Sequence, residues 1–307
     1  MGRYVARRLL LTIPVLIGAS FLIFAMVYAL PGDPIRALAG DRPLAPAVVA
    51  QLRAQFNLDD PLLVQYGKYL ANLTHLDLGT DFHQRPVLDI ITDRLPVTVR
   101  LTVVAVVLEA VIGLAAGILA GIRRNGFFDN VVLISTTLII SIPILVLAFL
   151  AQYIFGLKLG WFPIAGIQEG WYSYLLPGLV LASGSLAYVA RLTRTSIAEN
   201  MRADYVRTAR AKGLPNRTVI MRHTLRNSLI PVITFIGADV GTLLGGAIVT
   251  EAVFNIPGIG RAVFDAVKGQ EGAVVVGIVT LMVFFFIFFN LVVDVLYAVL
   301  DPRIRYD

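Results

Sequence analysis

The sequence predicts an all-α membrane protein of six transmembrane helices, and three observations carry that prediction. Of the 307 residues, 57% are hydrophobic and only 15% charged, with a mean hydropathy of +0.79. That apolar surplus exceeds what a single soluble core of this length needs, so lipid must be the solvent for much of the chain. The apolar residues also gather into six separate stretches, each near the ~20 residues a helix needs to cross a hydrocarbon layer of ~30 Å. Finally, lysine and arginine concentrate in the short segments that fall on one side of the membrane if successive spans alternate in direction.

The first stretch, Leu9 to Leu30, follows Arg3, Arg7 and Arg8. It is longer than the apolar region of a secretory signal and has no small-x-small site before Pro31, so a retained helix is expected. The segment from Pro31 to Pro96 is too long for a plain connector. Its helical patches, Ala47 to Phe56 and Leu62 to Leu73, predict a small extracytoplasmic cap held together by Phe56, Leu58, Tyr66, Tyr69 and Leu70. Five further spans are expected at Val97 to Gly121, Val131 to Phe155, Leu175 to Leu192, Leu229 to Thr250 and Val274 to Leu300. The chain thus divides into an N-terminal end and first helix (1–30), the cap (31–96) and a five-helix core (97–307) that contains a basic loop at 191–228.

Two spans carry glycines at four-residue spacing, Gly113, Gly117 and Gly121 in the second and Gly237, Gly241 and Gly245 in the fifth. Small residues at this spacing let a neighbouring helix approach closely, which suffices to explain both ladders. The fifth span is weakly hydrophobic and has Asp239 at its centre, so it belongs inside the bundle.

Six spans place both termini on one side. Taking that side as the cytoplasm puts 16 of the 26 basic residues on it, in short stretches, so the basic bias predicts cytoplasmic termini.

Several chemistries are excluded or unsupported. There is no cysteine, hence no disulfide, thiol nucleophile or cysteine-bound metal. No G-x-x-x-x-G-K-[ST] loop is present to cradle a nucleotide's phosphates. His75, His83 and His223 are scattered without metal-ligand spacing, and a membrane hydrolase would lack a nucleophile and base pair. The intramembrane acids Glu109, Asp239 and Asp294 are expensive in lipid and should face the bundle interior or a wet path. Asn290, Asp294, Tyr297 and Asp301 share one helical stripe, so hydrogen bonding between helices can account for Asp294, as it can for Glu109. Asp239 is the best candidate for lining a pathway. A proton-driven secondary transporter working through these acids is the reading from another class.

The loop from Arg191 to Ser228 holds nine basic residues against Glu199 and Asp204, a formal +7. A loop that stays inside is expected to be basic for topological reasons alone. Within it, however, the run from Asp204 to Pro215 reads as a short capped helix. Asp204 suits an N-cap, Gly213 a C′ position, and Pro215 a hard stop. Tyr205, Val206 and Ala209 share one face, an apolar ridge flanked by Arg207, Arg210 and Lys212 and shaped to enter a groove on a soluble partner.

This stretch, Tyr205-Val-Arg-Thr-Ala-Arg-Ala-Lys-Gly213, resembles the Glu-Ala-Ala loop of binding-protein-dependent ABC importer permeases, in the variant of the dipeptide, oligopeptide and nickel permease family. Arg207 and Thr208 stand where the broader motif has glutamate and alanine. The resemblance runs along the whole chain: Arg7-Arg-Leu-Leu10 with Ile13-Pro14, Pro31-Gly-Asp-Pro34, Leu58-Asp-Asp-Pro-Leu62 with Gln65-Tyr66, Leu78-Gly79 and Pro86-Val87. It continues in His223-Thr-Leu-Arg-Asn-Ser-Leu-Ile-Pro231, Glu251-Ala-Val-Phe254, Pro257-Gly-Ile-Gly260, Asp294-Val-Leu-Tyr297 and Asp301-Pro-Arg-Ile-Arg305. The resemblance implies a type I importer permease fold and a non-catalytic subunit of a bacterial inner-membrane transporter. It also implies that the helix of Asp204, Tyr205, Val206, Arg207, Thr208, Ala209, Arg210, Lys212 and Gly213 docks on a cytoplasmic ATPase. The implied partners are a second, homologous permease in a heterodimer, two ATPase subunits that bind ATP and Mg, and an extracytoplasmic solute-binding protein. That last partner would land near Glu251, Phe254, Pro257, Gly258 and Gly260. No cofactor in this chain and no nucleic acid are implied, and the implied cargo is a short peptide, with nickel and glutathione as alternatives.

Overall fold

The structure, a computed structural model, describes residues 2–28, 35 and 45–300, with side chains for all of these except 2–10, 55 and 293–300. All the regular elements among them are helical. Five helices are long and apolar enough to cross a membrane, or six if a bent pair counts as one span. The chain forms two compact units, one from residues 1–98 and 257–291, the other from 99–256.

In the first unit, α1 (Gly2–Tyr28) packs against a cap of two helices, α2 (Pro46–Gln55) and α3 (Leu62–Leu73). Proline sets the start of each cap helix. Pro46 is the first residue of α2, where a missing N–H costs nothing, and Pro61 immediately precedes α3. The aromatic faces of α1 and α3 interlock: Phe24 and Tyr66 are buried, with Phe21, Tyr69 and Leu70 packed around them. The Tyr66 hydroxyl lies 2.9 Å from the Ser20 hydroxyl and donates to the Ile17 carbonyl at 2.9 Å. A buried hydroxyl needs such partners, and here they pin the cap to the first span. Tyr66, Tyr69 and Leu70 thus do what the sequence predicts of them. Phe56 and Leu58 instead line a cavity of about 420 Å³ in the same unit.

The second span begins earlier than expected. α4 (Val87–Ile122) takes in Pro96 and an extra ten residues at its start, and is widened at Glu109–Gly113 by a π-turn. Also in the first unit, α10 (Ile259–Lys268) buries Ile259, Ala262, Val263 and Ala266 at helical spacing. Its first N–H is accepted by the Thr98 hydroxyl of α4 at 2.8 Å, which satisfies one of the donors a helix start leaves open. The last helix, α11 (Gly272–Leu300), approaches the α4 start closely at Gly277, where a Cβ would stand 3.0 Å from Val87.

The second unit is built around α7 (Leu175–Asn200), which extends eight residues beyond the predicted end of the fourth span. The glycine ladder of α4 faces it. A Cβ at Gly113 would meet Val189 at 2.8 Å, one at Gly117 would meet Thr193 at 2.5 Å, and one at Gly121 would meet Ile197 at 2.9 Å. No side chain fits at these positions, and the two backbones meet because none is there. The third span corrects the expectation of one straight helix. It is a pair, α5 (Phe127–Ser141) and α6 (Ile144–Lys158), bent by 107°. Pro143 causes the break: it has no N–H to donate and forces Ile142 into an extended conformation, φ −95° and ψ 124°. The unit is completed by a short helix, α8 (Asp204–Ala211), and by α9 (Ile230–Val253).

Candidate functional site

The basic loop folds as its punctuation predicts, with one correction at its start. At the start of α8 the cap is Ala203, which makes no side-chain bond, and Asp204 is the first helical residue. An acid there still favours the helix start through the macrodipole, although it does not cap it. At the other end the Gly213 N–H bonds to the Arg210 carbonyl at 2.9 Å and the Leu214 N–H to the Ala209 carbonyl at 3.3 Å. This is a Schellman closure, with Gly213 at φ 77° in the left-handed region it requires.

The expected apolar ridge is not available to a partner. Val206 and Ala209 are buried against Val219 within the chain itself. The physical reason is that residues 216–228 fold back beneath α8, and a helix of eight residues needs such a floor to be stable. What α8 presents outward is polar: Asp204, Tyr205, Arg207, Thr208, Arg210 and Lys212 are all exposed. Tyr205 is tied by its hydroxyl to Asn200 at the end of α7. Arg207 stands 3.5 Å from Asp204, both well exposed, a geometry that contributes little to stability.

Among the acids, the structure brings Glu109 and Asp239 into electrostatic reach of each other. Glu109 opens the π-turn of α4 and is fully buried, with neither carboxyl oxygen hydrogen-bonded. Asp239 is buried in α9 beside Ser185 and Thr242, with one oxygen unpartnered. Pairing through hydrogen bonds, the structural explanation offered for Glu109, is therefore not what holds it. The side chain of Asp294 lies outside the described residues. Asn290 bonds to the Phe286 carbonyl of its own helix at 2.9 Å. Among the described residues no three histidine, aspartate or glutamate side chains group as metal ligands.

Of the residues expected at a landing surface, Pro257 is exposed, while Glu251 and Phe254 of the second unit and Gly258 and Gly260 of the first are buried.

Sequence reasoning missed one feature. Arg194, counted there among the loop's basic residues, lies within α7 and forms a two-pronged ion pair with Asp129 of α5, its Nη2 donating to Oδ2 at 2.8 Å. Asp129 also accepts the Asn125 N–H at 2.7 Å and is almost wholly buried. The sequence carried no signal for it, because Arg194 lies past the apolar stretch that ends at Leu192, in a segment already rich in arginine.

A multi-span helical bundle carrying a rigid, basic helix defines a multi-pass membrane protein. The chain belongs to the family of binding-protein-dependent transport system inner membrane components, which matches residues 113–306, with the family's N-terminal region matching residues 1–102. It is 43% identical over 308 residues to the glutathione transport system permease protein GsiC of Escherichia coli (strain K12), covering all of both chains. It is 37% identical over 334 residues to the dipeptide transport system permease protein DppB of Alkalihalophilus pseudofirmus, again over the full length of both. The chain is a multi-pass inner-membrane permease of the ABC importer class with the type I permease fold.

Proposed function

We propose that this permease subunit carries short peptides inward, in a heterodimer with a second permease, with two cytoplasmic ATPase subunits holding ATP and Mg and a solute-binding protein delivering cargo outside. The observation that carries the reading is α8, a rigid helix closed by Gly213 whose exposed face is basic and polar, on a chain without a phosphate loop. A stiff helix seated on its own floor transmits displacement better than a flexible loop. The concentration of basic residues in that loop supports a cytoplasmic position for it and for both termini.

The cargo reading draws on the relatives' names, glutathione in one set and dipeptides in another. Glutathione is itself a modified tripeptide, so the second reading, a glutathione importer, keeps the same chemistry and is favoured by the 43% identity to the GsiC permeases. Glu109 and Asp239, buried without a cation beside them among the described residues, are the proposed acids of the pathway.

The test is import in proteoliposomes holding the complete transporter. Arg207→Glu is expected to leave the permease folded while reducing ATPase association and import by about tenfold, and wild-type import would refute the coupling assignment. Uptake by the permease alone under a proton gradient would favour the secondary-transport reading instead.

A further inference from the structure

The stretch of α7 from Thr193 to Asn200 is where the rest of the second unit is attached. Thr193 and Ile197 fill the notches left by Gly117 and Gly121 of α4. Arg194 grips Asp129 at the start of α5. The Ser196 carbonyl accepts the Ser228 hydroxyl at 3.2 Å, which anchors the arm under α8, and Asn200 bonds to Tyr205 of α8 itself.

These links differ in kind. The contacts to α4 are close-packed, side chains seated in glycine notches, and they set the register of α4 on α7. The Arg194–Asp129 pair is directional: a planar guanidinium meets both oxygens of a carboxylate, and Oδ2 also accepts the Asn125 N–H. It joins residues 65 apart in sequence and adds a directional link to the packing of α5 on the helix leading into α8. Its burial removes the competition from water that makes an exposed ion pair weak.

We propose that Asp129 and Arg194 are positioning residues for energy coupling: they lock the start of α5 to α7, so that a displacement of α8 moves α4, α5 and α7 as one block. The proposal rests on the reading of α8 as the ATPase contact. Without the lock, α8 and α7 would move while α5 lagged, and ATP would be hydrolysed with less cargo moved.

The experiment uses the complete transporter in proteoliposomes and reads ATP hydrolysed per cargo molecule imported. Asp129→Asn and Arg194→Met are each expected to raise that ratio about tenfold while ATPase association stays intact, and the exchange Asp129→Arg with Arg194→Asp to bring it back within about threefold of wild type. An unchanged ratio in both single variants would overturn the proposal. Because the chain has no cysteine, a second arm avoids any failure to fold. In Asp129→Cys with Arg194→Cys, with cysteine-free partners, a short reducible thiol linker bridges the two positions. The bridged protein is expected to couple normally and the same sample after reduction to uncouple. Equal ratios in the two states would overturn the proposal even if the single variants do not assemble. Should Arg207→Glu leave ATPase association and import untouched, the reading of α8 itself has failed. Should that variant weaken association while the bridged and reduced proteins behave alike, only the lock has failed.

Discussion

The two glycine ladders look alike in sequence and end differently in the structure. In α4 each glycine is a notch filled by α7, so close that a Cβ at Gly117 would stand 2.6 Å from the Ala190 carbonyl. In α9, a Cβ at Gly245 would meet nothing within 4 Å among the described residues, and one at Gly246 would meet Leu181 at 3.5 Å. The spacing of small residues therefore marks where a helix can be approached, and not by which helix. One ladder closes a seam inside the subunit, while the C-terminal part of the other leaves a smooth face uncovered.

That contrast breaks most easily at Gly117. Gly117→Ala is expected to destabilise the folded subunit by about 3 kcal/mol, the upper range for overpacking, because backbone and a branched side chain both lie in the way. A thermal midpoint in detergent equal to wild type would break the comparison. Tyr66→Phe, at a seam sealed by hydroxyls instead of by absence, should cost about 1 kcal/mol, since the contacts of the hydroxyl with Ile17 and Ser20 are lost while the ring stays and Ser20 keeps its own bond to the Ile17 carbonyl. Gly213→Ala should also cost about 1 kcal/mol through the left-handed conformation alone, nothing lying within 4 Å of its added methyl. Its sharper readout is fraying of α8, measured by hydrogen exchange at Gly213 and Leu214. Gly245→Ala comes last: stability unchanged, or up to about 1 kcal/mol higher through helix propensity. If the open face receives the second permease, the same variant should weaken co-purification of that subunit, so assembly and stability should separate there and not at Gly117.

Much of the architecture was legible because its causes are local. Gly213 marks a helix stop where the sequence places it, and Pro46 and Pro61 set helix starts in the structure, each through a constraint the residue carries alone. The two cap helices fell within a residue of expectation for the same reason. Errors arose where a local signal had two meanings. Pro96 reads as a boundary and lies inside α4, whereas the stretch from Val131 to Phe155 reads as one span and is broken by 107° at Pro143. The candidate site divided in the same way. The existence and ends of α8 were readable, but the face it presents was not, because an apolar ridge reads the same whether its groove belongs to a partner or to residues 216–228 of the same chain.

By itself the sequence determined that this protein lives in a membrane, how many apolar segments serve that end, and where a stiff basic helix interrupts them. These follow from hydrocarbon thickness, backbone chemistry and the cost of charge, all of which act over a few tens of residues. Only the tertiary structure decided that Glu109 lies within electrostatic reach of Asp239, that Arg194 finds Asp129, and that one glycine ladder is filled while Gly245 of the other stays open among the described residues. Those outcomes join positions 65 or more residues apart, and a pairing across such a distance is settled by which helix faces fit together, a property of the packed bundle and not of any one segment.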